Sequence, residues 1–284
     1  MNLTGRALHY VFKIPNRKES MRFYRDILGM KLLRHEEFAE GCEATCNGPY
    51  DGRWSKTMVG YGPEDNHFVI ELTYNYGITS YEKGNDFEKI TIKSKEALER
   101  AKQHNWPVSF DNILVAPGGY KFQIINESQP NDTDPLQSVT LNSSNLKNSI
   151  DYWNGILGLK IFQQSDKTVL LGFKENEAKL ELVDIGKPLD RGQAYGRIAF
   201  SIPFAEQDPL AKLIEEKNAK ILTPLTVLPT PGKADVCVII LADPDSHEIC
   251  FVNDEGYREL SQPDYASEKV LEIQMKKDNY DTSS

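Results

Sequence analysis

Three features are missing from this sequence, and two of them exclude whole classes of partner. No apolar run approaches the roughly 18 residues that a membrane-spanning helix needs. The formal net charge is −9, and the sequence contains no cluster of Lys and Arg. A nucleic-acid surface requires such a basic patch. We therefore expect neither nucleic acid nor a membrane as a partner.

Cysteine is the third scarce feature. The four cysteines, Cys42, Cys46, Cys237 and Cys250, form neither a zinc-type CxxC pair nor a dense disulfide framework. A reducing compartment, the cytoplasm, is the simplest interpretation, and it favours free thiols at Cys42 and Cys46 over redox-reactive ones. Only Met1–Ala7 precedes the first predicted strand, which is too short for a signal or transit peptide. Mitochondrial association stays open, but without such a peptide to direct it.

The sequence does contain an internal repeat. Residues 23–33 return as 152–162, and three further stretches return in the same order: 69–72 as 179–182, 89–92 as 197–200, and 117–126 as 244–253. Fixed order at nearly fixed spacing indicates a duplicated module, and the period is too long for a solenoid repeat. The 284 residues suit two domains. We predict a first module over 5–127, a second over 136–254 and a C-terminal tail over 255–284.

Local signals give each module the same order of elements. A first strand is predicted at Leu8–Ile14 and at Ser138–Leu141, followed by a helix of about ten residues whose N-cap is Asn16 or Asn145. Gly29 and Gly158 suit the left-handed position that ends a helix. The remaining predicted elements are strands at Met30–Leu33, Leu159–Phe162, Lys89–Ile92 and Arg197–Ile202, and helices at Lys95–His104, capped by Ser94, and at Glu206–Asn218. Each module therefore consists of two β-α-β-β-β units.

Three segments fall outside this pattern. Glu36–Asp65 is an insertion in the first module, and its Gly, Pro and Asn content predicts that it is largely loop. Glu127–Pro135 is a linker of Asn, Asp, Ser and Pro. After residue 254 we expect a short helix at Ser267–Lys276 and then a disordered polar end.

Two passages, FYRDILGMKLL at 23–33 and VGYGPEDNHFVIELTYNYG at 59–77, together with the paired β-α-β-β-β units, resemble glyoxalase I of the vicinal oxygen chelate superfamily. The resemblance covers about residues 7–254. It implies an α+β fold, in which two tandem modules form curved mixed sheets around an open cavity. It also implies a divalent metal that acts as a Lewis acid while methylglyoxal's glutathione hemithioacetal is isomerised to S-lactoylglutathione.

The same resemblance implies which residues face each cavity, because a site in this family takes two ligand positions from each of two paired modules. One cavity then holds His9, Glu71, Arg197 and Cys250, and strand alternation adds Glu248. His9, Glu71, Cys250 and Glu248 are a nitrogen, oxygen and sulfur set that suits Zn²⁺ or Ni²⁺. The presence of such a metal and its complete absence both stay open, and Glu71 is the candidate base.

The opposite cavity holds Ser138, Glu181, Lys89 and Gln123, and it is predicted to be a degenerate site. A lone carboxylate beside a lysine favours an ion pair over a metal. Glutathione contacts in the family match Lys13 and Asn75 here, and Arg197 adds a third substrate-binding candidate.

Three functions follow from these positions. The first is a glyoxalase I-like lyase that detoxifies methylglyoxal and acts on the glutathione hemithioacetal or a related thiol conjugate. The second is a catalytically silent binding or scaffold protein with a degenerate metal site. The third is another reaction of the superfamily, such as epimerisation, that uses Glu71 and Arg197. Fusion of two modules removes the need to dimerise, so we expect a monomer or a weak dimer.

Overall fold

The computed structural model describes residues 3–230 and 232–278. The first repeat forms seven strands and two α-helices, in the order β1 (Arg6–Lys13), α1 (Arg17–Met21), β2 (Lys31–Phe38), β3 (Trp54–Gly60), β4 (Val69–Asn75), β5 (Phe87–Lys93), α2 (Lys95–Gln103), β6 (Ile113–Val115) and β7 (Lys121–Ile125). The second repeat forms eight strands and two α-helices, in the order β8 (Leu136–Ser143), α3 (Leu146–Ile150), β9 (Lys160–Gln164), β10 (Thr168–Gly172), β11 (Lys179–Asp184), β12 (Arg197–Ile202), α4 (Phe204–Glu216), β13 (Lys220–Leu228), β14 (Val236–Ala242) and β15 (Glu248–Asn253). Two further helices, α5 (Asp254–Leu260) and α6 (Ser267–Lys277), follow them.

Polar caps begin the helices at the predicted residues. Asn16 accepts a hydrogen bond from the Glu19 amide at 3.0 Å, and Asn145 accepts one from the Asn148 amide at 3.1 Å. Ser94 caps α2 in the same way, through the Ala97 amide at 3.2 Å. These caps satisfy backbone donors that have no partner inside the helix, and they confirm the three predictions.

The helix that follows each first strand differs from the prediction. It is not one regular α-helix, because a π-helical segment continues α1 over Arg22–Ile27 and α3 over Asp151–Ile156. The wider turn is visible in the bonds from Leu28 N to Phe23 O and from Leu157 N to Tyr152 O, both 3.0 Å. Gly29 and Gly158 then adopt φ of +76° and +77°, which confirms the left-handed ends.

The insertion and the C-terminal segment contain more structure than the composition suggests. β2 extends to Phe38 and β3 occupies Trp54–Gly60, so the irregular parts of the insertion are residues 39–53 and 61–65, which hold all of its Gly and Pro residues except Gly60. The predicted C-terminal helix is confirmed as α6. The repeated passages end at residue 253 and did not predict α5. Disorder is wrong for Asp278, which forms an ion pair with Arg17 at 2.6 Å. Residues 279–284 lie outside the described residues.

The two repeats exchange halves to build two sheets. The eight-stranded sheet has the order β13-β14-β15-β12-β1-β4-β3-β2, and the seven-stranded sheet has the order β6-β7-β5-β8-β11-β10-β9. The first half of one repeat therefore joins the second half of the other, through the antiparallel pairs β1–β12 and β5–β8. This is the expected α+β architecture of curved mixed sheets. The module boundaries at 127, 136 and 254 stay a prediction.

The sheets bury most of the apolar residues between them and against the helices. One large cluster contains aromatic residues from both sheets, such as Phe12, Phe122 and Phe200. A smaller cluster, which includes Leu8, Val238 and Tyr257, lies on the other face of the eight-stranded sheet. No helix in the described ranges is long and apolar enough to cross a membrane.

Gly29 offers a test of how the first helix end is held. Its φ is positive, and a Cβ there would stand 2.5 Å from Nη2 of Arg100, whose guanidinium binds the carbonyls of Ile27 at 2.9 Å and Leu28 at 2.7 Å. We expect Gly29→Ala to lower the free energy of unfolding by about 2–4 kcal/mol, because backbone strain of about 1–2 kcal/mol adds to disturbed charged hydrogen bonds. Chemical denaturation measures this loss.

Gly77 is the matched control, since its φ is +82° and nothing lies within 4 Å of its added Cβ. Gly77→Ala should lose only the backbone term, about 1–2 kcal/mol. Equal losses in the two variants would show that Arg100 does not matter at the helix end.

Candidate functional site

A buried cavity of about 70 Å³ lies on the face of the eight-stranded sheet that carries the smaller apolar cluster. Its polar side chains are His9, Arg34, Lys56, Glu71, Arg197, Tyr257, Cys46 and Cys250, and its apolar ones include Leu228, Val236, Val238, Ile240, Val252 and Leu260. A second pocket of about 250 Å³ shares five of these residues and adds Phe38 and Trp54. The inner cavity holds only a few waters, so a larger molecule would extend into the outer pocket.

His9 and Glu71 form the polar centre of this cavity. β1 and β4 are parallel, with Val11 beside Glu71, so His9 lies two residues before Val11 on the same face. The distance from His9 Nε2 to Glu71 Oε2 is 3.4 Å, and both residues are buried. Burial lowers the pKa of His9 to about 3, an effect that Lys56, Arg34 and Arg197 reinforce and Glu64 opposes. The imidazole is therefore neutral near pH 7.

Lys56 brings a positive charge to the same carboxylate. Its Nζ lies 3.9 Å from Glu71 Oε2 and 5.7 Å from the centre of the Trp54 ring, which stacks on Phe38 with 4.2 Å between ring centres. Lys56 thus stands at the border between the carboxylate and the aromatic wall of the outer pocket. β3 carries it, and the repeat alone did not identify it as a site residue.

Arg197 and Glu248 face this side of the sheet but bind each other. β12 and β15 are parallel and pair Arg197 with Glu248 directly. The guanidinium donates to Glu248 Oε2 at 3.0 and 2.8 Å, and Arg191 reaches Oε1 at 3.4 Å. Arg197 Nη2 also donates to the carbonyls of Ala44 at 3.0 Å and Thr45 at 3.2 Å. The positively charged guanidinium of Arg197 is therefore bound to Glu248 and to the loop over residues 39–53.

That loop carries Cys42 and Cys46, which a disulfide joins. The prediction of free thiols at these two positions is therefore wrong, because the loop folds back and brings their sulfurs together over four residues. Cys46 lines both the cavity and the outer pocket. The loop thus forms one wall of the site.

Cys250 is a predicted ligand that β15 carries. It pairs with Ala199 of β12, which in turn pairs with His9, so it shares the cavity face. Burial raises the pKa of its thiol to about 11, which keeps the sulfur protonated. Three strand spacings of about 4.8 Å separate β15 from β4, which explains why Cys250 and Glu71 stand on opposite sides of the cavity.

Tyr257 is a site residue that the sequence repeat did not reveal. α5 carries it over the cavity, where its hydroxyl lies 3.2 Å from His9 Nδ1 and donates to Glu64 Oε2 at 2.5 Å. Arg34 holds the Glu64 carboxylate at 2.7 and 3.2 Å. Glu64 and Tyr257 have no equivalents in the repeated passages, so no internal comparison singled them out.

Lys13 and Asn75, the positions that resemble glutathione contacts, are buried and bound to other parts of the chain. Lys13 Nζ donates to the Tyr195 carbonyl at 2.6 Å and lies 3.5 Å from the centre of that ring. Burial lowers the pKa of Lys13 to about 7, with Arg197 and Arg191 acting in the same direction and Glu248 opposing them. Asn75 exchanges hydrogen bonds with Asn47 at 2.9 and 3.0 Å. Their role in binding substrate stays a prediction.

The counterpart positions in the seven-stranded sheet form a more open arrangement. Glu181 lies beside Thr140, and Thr140 beside Lys89. Thr140 donates to Glu181 at 2.6 Å, and in the described part of the chain no ion pair joins Lys89 to Glu181. Ser138 is buried, whereas Gln123 donates to the Asp111 carbonyl at 2.5 Å. β9, at one edge, is exposed along its whole length.

Within residues 3–230 and 232–278, one group of three His, Cys, Asp or Glu side chains has donor atoms within 4.8 Å of one another, namely Asp243, Asp245 and His247. These atoms already have partners. Asp243 accepts from Trp153 at 3.0 Å and from the His247 amide at 2.8 Å, and the His247 ring pairs with the Asn142 carbonyl at 2.7 Å. This candidate acidic cluster closes the β14–β15 turn.

The His9–Glu71 pair has the spacing that one metal ion requires. Two ligand atoms that each lie about 2.1 Å from Zn²⁺ at a tetrahedral angle stand about 3.4 Å apart, and a neutral imidazole with a carboxylate suits such an ion. In the described part of the chain His9, Glu71 and Cys250 do not bring three donor atoms within 4.8 Å of one another, so Cys250 would have to move toward the pair and lose its proton to become a third ligand. Glu248 is held by two arginines and would have to exchange them for the metal.

Comparisons with known proteins agree along the whole chain. Residues 6–133 match the glyoxalase/bleomycin resistance protein/dioxygenase superfamily, and residues 145–260 match the glyoxalase domain-containing protein 4-like C-terminal domain. Glyoxalase domain-containing protein 4 of Mus musculus is 53% identical and covers 98% of this chain and 95% of its own. Glyoxalase 1 of Caenorhabditis elegans is 47% identical and covers 98% of each chain. The crystal structure of glyoxalase I from Zea mays, 24% identical, has the same fold, with a TM-score of 0.72 over 95% of this chain and 96% of its own.

The Arg197–Glu248 pair yields a stability test. Arg197→Met leaves Glu248 buried beside the more distant Arg191, and removing one partner of a buried ion pair costs about 3–5 kcal/mol. Replacing both residues by Met should restore most of that stability, because no charge is then left unpaired. Chemical denaturation of the single and double variants measures both values. Arg191→Met is the control and should lose less than about 1 kcal/mol; a double variant as unstable as Arg197→Met would contradict this account.

Proposed function

Because this chain belongs to the glyoxalase domain-containing protein 4 family, within the glyoxalase/bleomycin resistance protein/dioxygenase superfamily, we propose that it carries one glyoxalase I-like site, in the eight-stranded sheet. The reaction would convert the hemithioacetal of methylglyoxal and glutathione, or a related thiol conjugate, to the S-2-hydroxyacyl thioester. The observation that carries this proposal is the buried His9–Glu71 pair, whose facing nitrogen and oxygen atoms are 3.4 Å apart.

His9 and Glu71 would hold a divalent metal, Zn²⁺ or Ni²⁺, and Cys250 would become a third donor only after moving toward them. When bound, the metal supplies Lewis acidity toward the two neighbouring oxygens of the substrate. The protein's part is to present a neutral imidazole and a carboxylate on a rigid face. β1 and β4, which carry them, are buried along their whole length.

Glu71 would move the proton. Its carboxylate takes the hydrogen from the carbon that bears the hydroxyl and the sulfur, and returns it to the neighbouring carbonyl carbon. The substrate and the product are isomers, so no external acid, base or oxidant is consumed. Lys56, 3.9 Å from the same carboxylate, would offset the negative charge that develops on oxygen.

The walls limit what reaches these residues. Seven apolar side chains contribute to the wall of the cavity, and the stacked Phe38–Trp54 pair continues them outward. The acyl part of the substrate would fit this side. Lys13 and Asn75 would meet glutathione only after Tyr195 and Asn47 gave up their present bonds to them. A bound thiol conjugate therefore requires the loop over residues 39–53 to move.

The ion pair between Arg197 and Glu248 favours a second candidate function, a metal-free binding protein. The positions that complete the family's ligand set carry Arg197 and Cys250. The Arg197 guanidinium binds the carboxylate of Glu248, which is therefore not free to bind a metal. In that case the cavity would bind a small ligand without turnover. The same experiment separates the two candidates.

Hemithioacetal isomerisation by the purified protein, loaded with Zn²⁺, Ni²⁺ or Co²⁺ in turn, tests the proposed reaction. We expect metal-dependent turnover, and we expect Glu71→Gln to lower kcat by about 10²–10⁴-fold because the proton acceptor is lost. Glu181→Gln is the matched control, since Glu181 holds the counterpart position in the seven-stranded sheet, and its kcat should be unchanged. No turnover with any metal, or an equal loss in both variants, would refute a single site at His9 and Glu71. Calorimetry with S-lactoylglutathione would then test the binding role.

A further inference from the structure

Tyr257 belongs to neither repeated passage, yet its hydroxyl lies 3.2 Å from Nδ1 of His9, at the polar centre of the cavity. It is buried, and its ring stacks on the imidazole with 6.0 Å between ring centres. α5 is fixed over the sheet by Asp254, which accepts from Ser201 at 2.6 Å and from Arg6 at 3.2 Å. The position of the Tyr257 hydroxyl is therefore set by the chain that follows the last strand.

The hydrogen bonds determine where the single hydroxyl proton goes. Glu64 is held by the Arg34 guanidinium, so its carboxylate accepts and does not donate. Tyr257 donates to Glu64 at 2.5 Å, and the hydroxyl oxygen is left as an acceptor for His9 Nδ1 at 3.2 Å. An acceptor oxygen at this position requires a proton on Nδ1.

The spacing at the other ring nitrogen indicates that it carries no proton. His9 Nε2 faces Glu71 Oε2 at 3.4 Å, longer than the 2.7–3.2 Å usual for an N–H···O bond. Two acceptors that face each other at this distance repel unless a cation lies between them. We infer that Tyr257 is a positioning residue, which fixes the Nδ1–H tautomer of His9 and so prepares Nε2 and Glu71 to hold a divalent cation.

This inference rests on the proposed function only for the identity of the cation. Without the tyrosine oxygen, Nδ1–H would lose its buried acceptor, whereas Nε2–H would gain the Glu71 carboxylate. The proton would then move to Nε2 and occupy the site of the metal. Partners that orient a metal-binding histidine typically contribute about 10–100-fold to affinity, which sets the scale of the expected loss.

Nitrogen-15 NMR of histidine-labelled, metal-free protein reads the tautomer directly. Five histidines give few signals, and His9→Gln assigns the one of interest. We expect long-range proton–nitrogen correlations to show a protonated Nδ1 and an unprotonated Nε2 in the unaltered chain, and the reverse in Tyr257→Phe. Titration with Co²⁺, followed by its visible absorption, should give a Kd about 10–100-fold higher in Tyr257→Phe.

Tyr152→Phe is the matched control, because Tyr152 is also buried and its hydroxyl has no hydrogen-bond partner among the described residues. It should keep both the tautomer and the Co²⁺ affinity of the unaltered chain. A protonated Nε2 in the unaltered chain would overturn the inference even if Tyr257→Phe failed to fold, and so would an unchanged Co²⁺ affinity in that variant. Neither readout needs turnover, so failure of the proposed reaction is recognised separately.

Discussion

The antiparallel pairing of β1 with β12 is the constraint on which the site depends. β1 carries His9 and β12 carries Arg197, and the pair joins the first half of one repeat to the second half of the other. Register along this pair places Val11 beside Arg197 and His9 beside Ala199. A slip by one residue would turn one set of side chains away from the cavity. One chain therefore supplies both halves of the site, as two fused modules permit.

The two sheets have the same strand plan but different surroundings. In the eight-stranded sheet, the loop over residues 39–53, β13 and α5 cover the face that carries His9 and Glu71. In the seven-stranded sheet, the counterpart face keeps Lys89, Gln123 and Glu181 only half-buried. Burial strengthens electrostatic interactions because water is excluded, so chemistry that relies on charge belongs in the covered sheet. The duplication thus produced one enclosed face and one open face.

Charge pairing determines what the enclosed face can do. Glu248 is bound by Arg197 and Arg191, while Glu64 is bound by Arg34 and Tyr257. Within residues 3–230 and 232–278, Glu71 has His9 and Lys56 near its Oε2 atom, at 3.4 and 3.9 Å, and a hydroxyl contact from Thr73 at 3.5 Å on Oε1. Of the three carboxylates, Glu71 is the one with the weakest fixed contacts. A buried carboxylate in this condition is the best placed to accept a cation or a proton from a substrate.

The sequence by itself determined the duplication, the caps at Asn16, Ser94 and Asn145 and the left-handed glycines. Each of these is encoded within a few residues or in the comparison of one repeat with the other, whereas the pairing of His9 with Glu71 was implied by the resemblance to glyoxalase I. Only the tertiary structure decided that Arg197 binds Glu248, that a disulfide joins Cys42 to Cys46, and that Tyr257 reaches His9. The first contact joins two strands, the second lies within the insertion, and the third joins a C-terminal helix to β1 over 248 residues. Such contacts depend on how far a side chain extends once the strands are packed, and neither periodicity nor internal repetition carries that information.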